Sequence, residues 1–235
     1  MKHATPKNSI SFTVRGRYAL FTDPLTRVGG EKCSYHLPTY EALKGVACSI
    51  YWKPTFSWFI DKVRVMRPIR TEAKNVKPLE FGGGNTLATY TYLADVEYQV
   101  LAHFEWNPLR EDMAADRIEG KHFEVAQRMV KKGGRRDIFL GARECQGYVE
   151  PCEFGAGTSH YDGAPELAYG LMFHGFDYPD AIGKPELHSR FWRPIMKDGI
   201  IDFIQPEQCT IRKLVRTMEA NPPKSIGLNE EALFE

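Results

Sequence analysis

The clearest pattern in the sequence is a strict alternation of apolar and polar positions from Val96 to Trp106, which only Leu101 breaks. A period of two places the two sets on opposite sides of a pleated strand. The segment therefore predicts a strand with one buried face. A similar alternation that begins at Ile10 predicts a first strand, which we expect Gly16 to interrupt with a bulge or bend.

A first helix is predicted from the apolar spacing between about Pro38 and Trp52, with Pro38 or Thr39 at its start. At 100° per residue, one face of this helix collects the apolar side chains of Leu43, Val46, Ala47 and Ile50. Tyr51 falls at the margin of that face, at the end of the helix.

A second helix is predicted to begin between Asp116 and Gly120, where Asp116 and Glu119 resemble a capping box. Its apolar side holds Phe123, Val125, Ala126, Met129 and Val130, and His122 falls within that arc. The pair Gly133-Gly134 supplies a positive-φ stop.

Further strands are predicted over 56–66 and 137–140. In the first of these, one side of the strand should hold Phe59, Val63 and Val65, and the other side Trp58, Ile60 and Met66. The order strand, helix, strand, strand, helix, strand is the split βαβ pattern. We therefore predict an α+β protein with a ferredoxin-like (RRM-like) βαββαβ domain over residues 1–148. Short apolar runs between glycines predict a small, mostly antiparallel β domain over 149–220, followed by a polar tail over 221–235.

This topology makes a prediction about the two helices. They lie on one face of the sheet and run in opposite directions, so the end of the first should sit beside the start of the second. Tyr51 should then approach Lys121 and His122, although they are far apart in the sequence.

Composition narrows the choice of function only a little. A chain of 235 residues with 43% hydrophobic content can form a real core, and a net charge of +1 leaves any binding of nucleic acid to local basic patches. No apolar run is long enough for a membrane span, and no leader peptide is evident. Five scattered cysteines suit a reducing compartment, so we expect a cytoplasmic protein.

No cofactor or metal site is indicated by the sequence. Cys145 and Cys152 form the closest cysteine pair, but six residues separate them and no matching histidine pair follows. We interpret them as small apolar residues.

Tyr51, Lys121 and His122 are the candidate catalytic residues. Cleavage of RNA without a metal requires removal of the 2′-hydroxyl proton, protonation of the leaving 5′-oxygen and stabilisation of the phosphate charge. Imidazole titrates near neutral pH and an ammonium neutralises charge, while a phenol with a pKa of about 10 is better suited to donate a hydrogen bond. Taken singly, each residue also has an ordinary interpretation: a core-margin aromatic, a solvated lysine and a buried histidine.

Two groups of cations are candidates for binding RNA phosphates. The first, here called the basic turn, consists of Lys131, Lys132, Arg135 and Arg136 around the glycine stop. The second begins on the second strand with Arg64 and Arg67. Each group is equally consistent with a solvated surface.

Three segments resemble a known family. They are FTDPLTRVGGEKCSYHLPTYEALKGVACSIYWKPT, EFGGGNTLATYTYLADVEY and EGKHFEVAQRMVKKGGRRDIFLGARECQGYVEPCEFG. With them the chain resembles the CRISPR-associated Cas family five, d-type, of subtype I-C, within the RAMP superfamily. The resemblance implies the fold predicted above, and it places the family's catalytic tyrosine at Tyr51 and its Lys-His pair at Lys121 and His122.

The resemblance also implies an activity. Members cleave precursor CRISPR RNA without a metal at the 3′ base of the repeat hairpin, and then stay on the 5′ handle of the product among the other subunits of the type I-C interference complex. The alternatives are a non-catalytic subunit that caps the 5′ end of a processed guide, and general binding of duplex DNA through the basic turn.

Overall fold

The computed structural model describes residues 8–24, 26, 30–79, 82–179 and 183–220. Its elements are, in chain order, β1 Ser9–Ala19, α1 Tyr40–Ile50, β2 Phe56–Val65, β3 Thr71–Val76, β4 Ala88–Trp106, α2 Lys121–Lys131, β5 Ile138–Phe139, β6 Gln146–Pro151, β7 Leu167–Ala168, β8 Met172–Asp177, β9 Glu186–Trp192, β10 Ile195–Lys197, β11 Ile200–Asp202 and β12 Ile211–Thr217. Short 3-10 helices cover Glu111–Asp116 and Pro206–Gln208. Within the described part of the chain, neither α-helix has the length and apolar character needed to cross a bilayer.

The centre of the protein is an antiparallel sheet in the order β6-β1-β4-β2, with α1 following β1 and α2 following β4. This confirms the predicted α+β class. The predicted βαββαβ order is matched by β1, α1, β2, β4, α2 and β6, but β3 is an additional strand that pairs with β4, and the last strand needs a correction. The predicted last strand over 137–140 is only the two-residue edge strand β5, because the chain turns back after Leu140, whose N–H bonds to the carbonyl of Cys145 at 2.8 Å. The strand that lies against β1 is β6.

The core lies between this sheet and the two helices. Phe12, Val14, Trp58, Val100 and Ala102 project from the sheet with their side chains fully enclosed. The predicted apolar face of α1 is confirmed, since Leu43, Val46, Ala47 and Ile50 are buried. In the predicted apolar arc of α2, His122, Ala126 and Val130 are buried.

Three local predictions are wrong. Gly16 lies within the continuous strand β1, where it provides space, because a Cβ there would come 2.6 Å from the Leu140 side chain. The helix α2 has no capping box; Gly120 precedes it in a left-handed conformation, and no side chain caps it. In β2 a register shift between Ile60 and Lys62 changes the alternation of faces that the sequence predicted.

The C-terminal strands divide between two sheets. β11, β10 and β7 extend the central sheet beyond β2, while β12, β9 and β8 form a separate antiparallel sheet. The predicted domain boundary at 148/149 falls inside β6, so the first domain needs at least the whole of that strand. The division into two domains stays a prediction, and the polar tail over 221–235 lies outside the described residues.

Candidate active site

The end of α1 and the start of α2 meet, as the topology predicted. The hydroxyl of Tyr51 lies 2.9 Å from Nδ1 of His122, although 71 positions separate them in the sequence. Tyr51 ends α1 in an extended conformation, and the indole N–H of Trp58 bonds to its carbonyl at 2.7 Å. Both side chains are deeply enclosed, with Tyr51 4% and His122 0% exposed.

The hydrogen bonds of His122 define its neutral tautomer. Nε2 lies 2.8 Å from the backbone carbonyl of Asp116, and a carbonyl can only accept. Nε2 therefore carries the hydrogen, which leaves Nδ1 of the neutral ring as an acceptor. The Tyr51 hydroxyl must then donate to Nδ1. The interaction is directional: a proton that leaves Tyr51 has an acceptor already in place.

Asp116 holds the other side of the site together. One carboxylate oxygen accepts a hydrogen bond from the Lys121 ammonium, and the other accepts from the Thr55 hydroxyl at 2.7 Å. These hydrogen bonds hold the pKa of Asp116 below its ordinary value, with the Lys121 bond contributing most. The carboxylate is therefore charged at neutral pH. It fixes the Lys121 ammonium, whose side chain remains 43% exposed.

The sequence did not indicate this role of Asp116, since the capping-box pattern assigned it to the helix start. The available signal was only a carboxylate five positions before a Lys-His pair. Thr55 was missed for the same reason: its hydroxyl reaches Asp116 from a segment 61 positions away.

Aromatic side chains close the site around the imidazole. The ring centre of His122 lies 5.2 Å from that of Phe56 and 5.6 Å from that of Trp106. Burial raises the pKa of Tyr51, and the charge of Asp116 acts in the same direction, while Arg135 opposes them. Tyr51 is accordingly a phenol at neutral pH and can donate a proton, which agrees with the sequence-based assignment.

The basic turn lies next to this site. The backbone N–H of Arg135 bonds to the carbonyls of Ser49 and Ile50, and that of Arg136 bonds to Ser49, so the turn covers the end of α1 just before Tyr51. Lys131, Lys132, Arg135 and Arg136 are all exposed. In the parts of the chain that are described, none of these four side chains forms an ion pair.

The second group of cations is arranged differently. Arg64 is 5% exposed and bonds to the carbonyls of Ala156 and Gly157 and to the Asp162 carboxylate. The prediction that Arg64 contacts RNA is therefore not supported by its position, because its guanidinium is enclosed and paired within the protein. Arg67 is partly exposed, but it is paired with both Asp95 and Glu97.

Comparison with solved structures identifies the class of fold. A structure described as "Crystal Structure of CRISPR-associated Protein" superimposes with a TM-score of 0.76 and 36% sequence identity, covering 90% of this chain and 99% of that chain. The family model Cas_Cas5d, described as CRISPR-associated protein (Cas_Cas5), matches residues 9–204. The chain belongs to this Cas5d family, which confirms the resemblance noted in the sequence.

Two curated relatives carry the name "CRISPR pre-crRNA endoribonuclease Cas5d". The one from Thermus thermophilus is 31% identical over 191 residues, which cover 77% of this chain and 78% of the relative. The one from Mannheimia succiniciproducens is 27% identical over 236 residues, which cover 83% of this chain and 94% of the relative.

Proposed function

We propose that this protein is an endoribonuclease that cleaves precursor CRISPR RNA at the 3′ base of the repeat hairpin, without a metal ion. The observation that carries the proposal is the Tyr51–His122 hydrogen bond, with Lys121 fixed beside it by Asp116. The names of the two relatives support the choice of RNA substrate.

In the proposed reaction the 2′-oxygen attacks the adjacent phosphorus, and the bond from phosphorus to the 5′-oxygen breaks. The products are an upstream 2′,3′-cyclic phosphate and a downstream 5′-hydroxyl. The 2′-hydroxyl must lose a proton and the 5′-oxygen must gain one. The exposed Lys121 ammonium neutralises the charge that builds up on the phosphate oxygens, and it donates the proton that the leaving 5′-oxygen gains.

The enclosed position of His122 suggests how it acts as a base. Its ring is fully buried, and its Nδ1 faces the Tyr51 hydroxyl. We therefore assign a relay in which Tyr51 takes the 2′-hydroxyl proton as its own proton passes to Nδ1. His122 is thereby protonated on both nitrogens, and its Nε2 lies 2.8 Å from the Asp116 carbonyl oxygen and 3.4 Å from a carboxylate oxygen of Asp116.

The product is proposed to remain bound through its 5′ handle, with the protein serving as a subunit of the type I-C interference complex. The exposed cations of the basic turn, which lie beside the site, supply contacts for phosphates. Binding of duplex DNA through the same turn is a secondary role in this proposal.

A second candidate function is a non-catalytic subunit that binds the 5′ handle. The observation that favours it is burial, because 0% of His122 and 4% of Tyr51 are exposed and RNA cannot touch the imidazole directly in this conformation. Cleavage by the purified protein separates the two candidates.

The test uses purified protein and hairpin repeat RNA in chelator. Lys121→Ala and His122→Ala should abolish cleavage and still bind RNA, while His36→Ala, which changes an exposed histidine, should cleave like the wild type. The upstream product should end in a cyclic phosphate, and RNA with a 2′-deoxy sugar at the cut should resist. Full activity of the Lys121 and His122 variants, or cleavage of the deoxy substrate, contradicts the proposal.

A further inference from the structure

A polar cleft of about 530 Å³ lies between the basic turn and the start of β6. Its lining is formed by residues 132–138 and 146–148. The lining contains three cations, Lys132, Arg135 and Arg136, and one carboxylate, Asp137. A cleft of this size and charge suits a phosphate-bearing group.

These cations differ from Arg15 and Arg67 in their pairing. Arg15 is paired with Glu150 at 2.5 Å, and Arg67 is paired with Asp95 and Glu97. Lys132, Arg135 and Arg136 have no acidic partner among the described residues. Their donors are therefore available to a bound anion.

Tyr148 forms the wall of the cleft on the β6 side, and 58% of it is exposed. Other tyrosines near the sheet are already covered: the Lys74 ammonium lies 3.2 Å from the ring centre of Tyr18, and that of Lys32 lies 4.9 Å from the ring centre of Tyr90. No ring or cation of the described residues packs on Tyr148. A free aromatic face beside unpaired cations is the arrangement that binds a base and its phosphates.

The cleft adjoins the candidate active site. Its Arg135 bonds through the backbone to the last residues of α1, immediately before Tyr51. The positive charge of Arg135 acts on the Tyr51 hydroxyl. A nucleotide held in the cleft would therefore belong to the strand that also passes the Tyr51–His122 pair.

We propose that this cleft binds a nucleotide of single-stranded RNA flanking the repeat hairpin, with its base stacked on Tyr148 and its phosphates on Lys132, Arg135 and Arg136. The inference rests on the proposed function for the identity of the RNA. It adds Tyr148 as a stacking residue, and with it a defined position for the flank, which the basic turn alone does not provide.

The experiment measures binding to full-length protein in chelator. The probe is a repeat hairpin with single-stranded flanks, a 2′-deoxy sugar at the cut, and 2-aminopurine at successive flank positions. Tyr148→Ala should weaken binding by about 5- to 150-fold and abolish quenching at one flank position. Tyr148→Phe should retain both. Tyr178→Ala, which changes a tyrosine that is 50% exposed and lies directly after β8, is the matched control and should bind like the wild type.

A blunt hairpin without flanks should bind wild-type and Tyr148→Ala protein equally. Unchanged affinity of Tyr148→Ala for the flanked RNA, or an equal loss with flanked and blunt RNA, overturns the cleft assignment. Cleavage of unmodified RNA by the wild type is scored separately. If the wild type cleaves and Tyr148→Ala binds the flanked RNA normally, only the cleft assignment is refuted. If Tyr148→Ala binds the flanked RNA more weakly but the wild type does not cleave, only the proposed nuclease activity is refuted.

Discussion

The Tyr51 hydroxyl donates a hydrogen bond to Nδ1 of His122 across 2.9 Å, while Nε2 of the same ring donates to the Asp116 carbonyl. The imidazole is thus held from both sides in one tautomer. His122 is completely enclosed and Tyr51 is 4% exposed, so in the proposed reaction the substrate meets this chain of hydrogen bonds at Tyr51.

The Tyr51→Phe variant removes the hydroxyl and keeps the aromatic ring, so it distinguishes the role of the hydroxyl from that of the ring packing. We expect cleavage to slow by about 100- to 10,000-fold, because the relay to Nδ1 is lost, while RNA affinity stays within about twofold. Single-turnover cleavage and equilibrium binding measure the two quantities. Tyr40→Phe removes a hydroxyl from the buried tyrosine at the other end of α1 and serves as the control. Normal cleavage by Tyr51→Phe would show that the hydroxyl takes no part.

The meeting of Tyr51 with His122 was predictable because it follows from topology. Once the order of elements is fixed, two antiparallel helices on one face must bring the end of α1 to the start of α2. The apolar arc of α2 likewise placed His122 in the core. These features depend on periodicity and connection order, both of which are visible in a sequence.

The polar partners were not predictable in the same way. Asp116 reaches Lys121 and His122 because the 3-10 helix before α2 ends at Asp116, beside Thr55, and no periodic pattern encodes that path. Arg64 lies in β2 just after the shift in strand register, and its guanidinium bonds to the Asp162 carboxylate, 98 positions further along the chain. Its burial depends on long-range packing, so its charge alone misleadingly indicated a surface role.

Asp116→Asn should test the positioning of Lys121. The amide keeps the size of the side chain but removes the charge that holds the ammonium. We expect single-turnover cleavage to fall by roughly 10- to 100-fold with RNA affinity nearly unchanged. Asp112→Asn is a matched control, because Asp112 lies in the same 3-10 helix and pairs with Arg110 away from the site. Equal effects of the two substitutions would assign the loss to the 3-10 helix in general.

Gly141→Ala should destabilise the fold. Gly141 has a φ of 88°, and a Cβ there would lie 2.1 Å from the carbonyl oxygen of Leu20, which is backbone and cannot move aside easily. We expect the free energy of unfolding to fall by about 2–5 kcal/mol. Gly45→Ala, within α1 and with open space around it, should instead gain about 0.5–1 kcal/mol. Denaturant titration measures both, and equal stability of the two variants would contradict the steric argument.

His174 should make the fold sensitive to acid. Its ring is fully buried and stacks on Tyr40 with ring centres 4.2 Å apart, thereby joining β8 to α1. Burial lowers the pKa of His174 to about 4; the bond from Nε2 to the Ile204 carbonyl opposes this shift, and the charge of Arg190 supports it. In the unfolded chain the ordinary pKa is about 6.5. The unfolded state therefore binds more protons between these values.

The neutral ring consequently stabilises the fold fully above about pH 6.5, and this stability is lost as the pH falls toward about 4. The free energy of unfolding should drop by about 1.6 kcal/mol between pH 6.5 and 5 through this residue alone. In His174→Phe, which cannot titrate, the drop over that interval should be smaller by that amount, whatever the variant's stability at neutral pH. Denaturant titrations at the two pH values measure it, with His36→Phe as the exposed control. An unchanged drop in His174→Phe would mean that other groups cause the acid sensitivity.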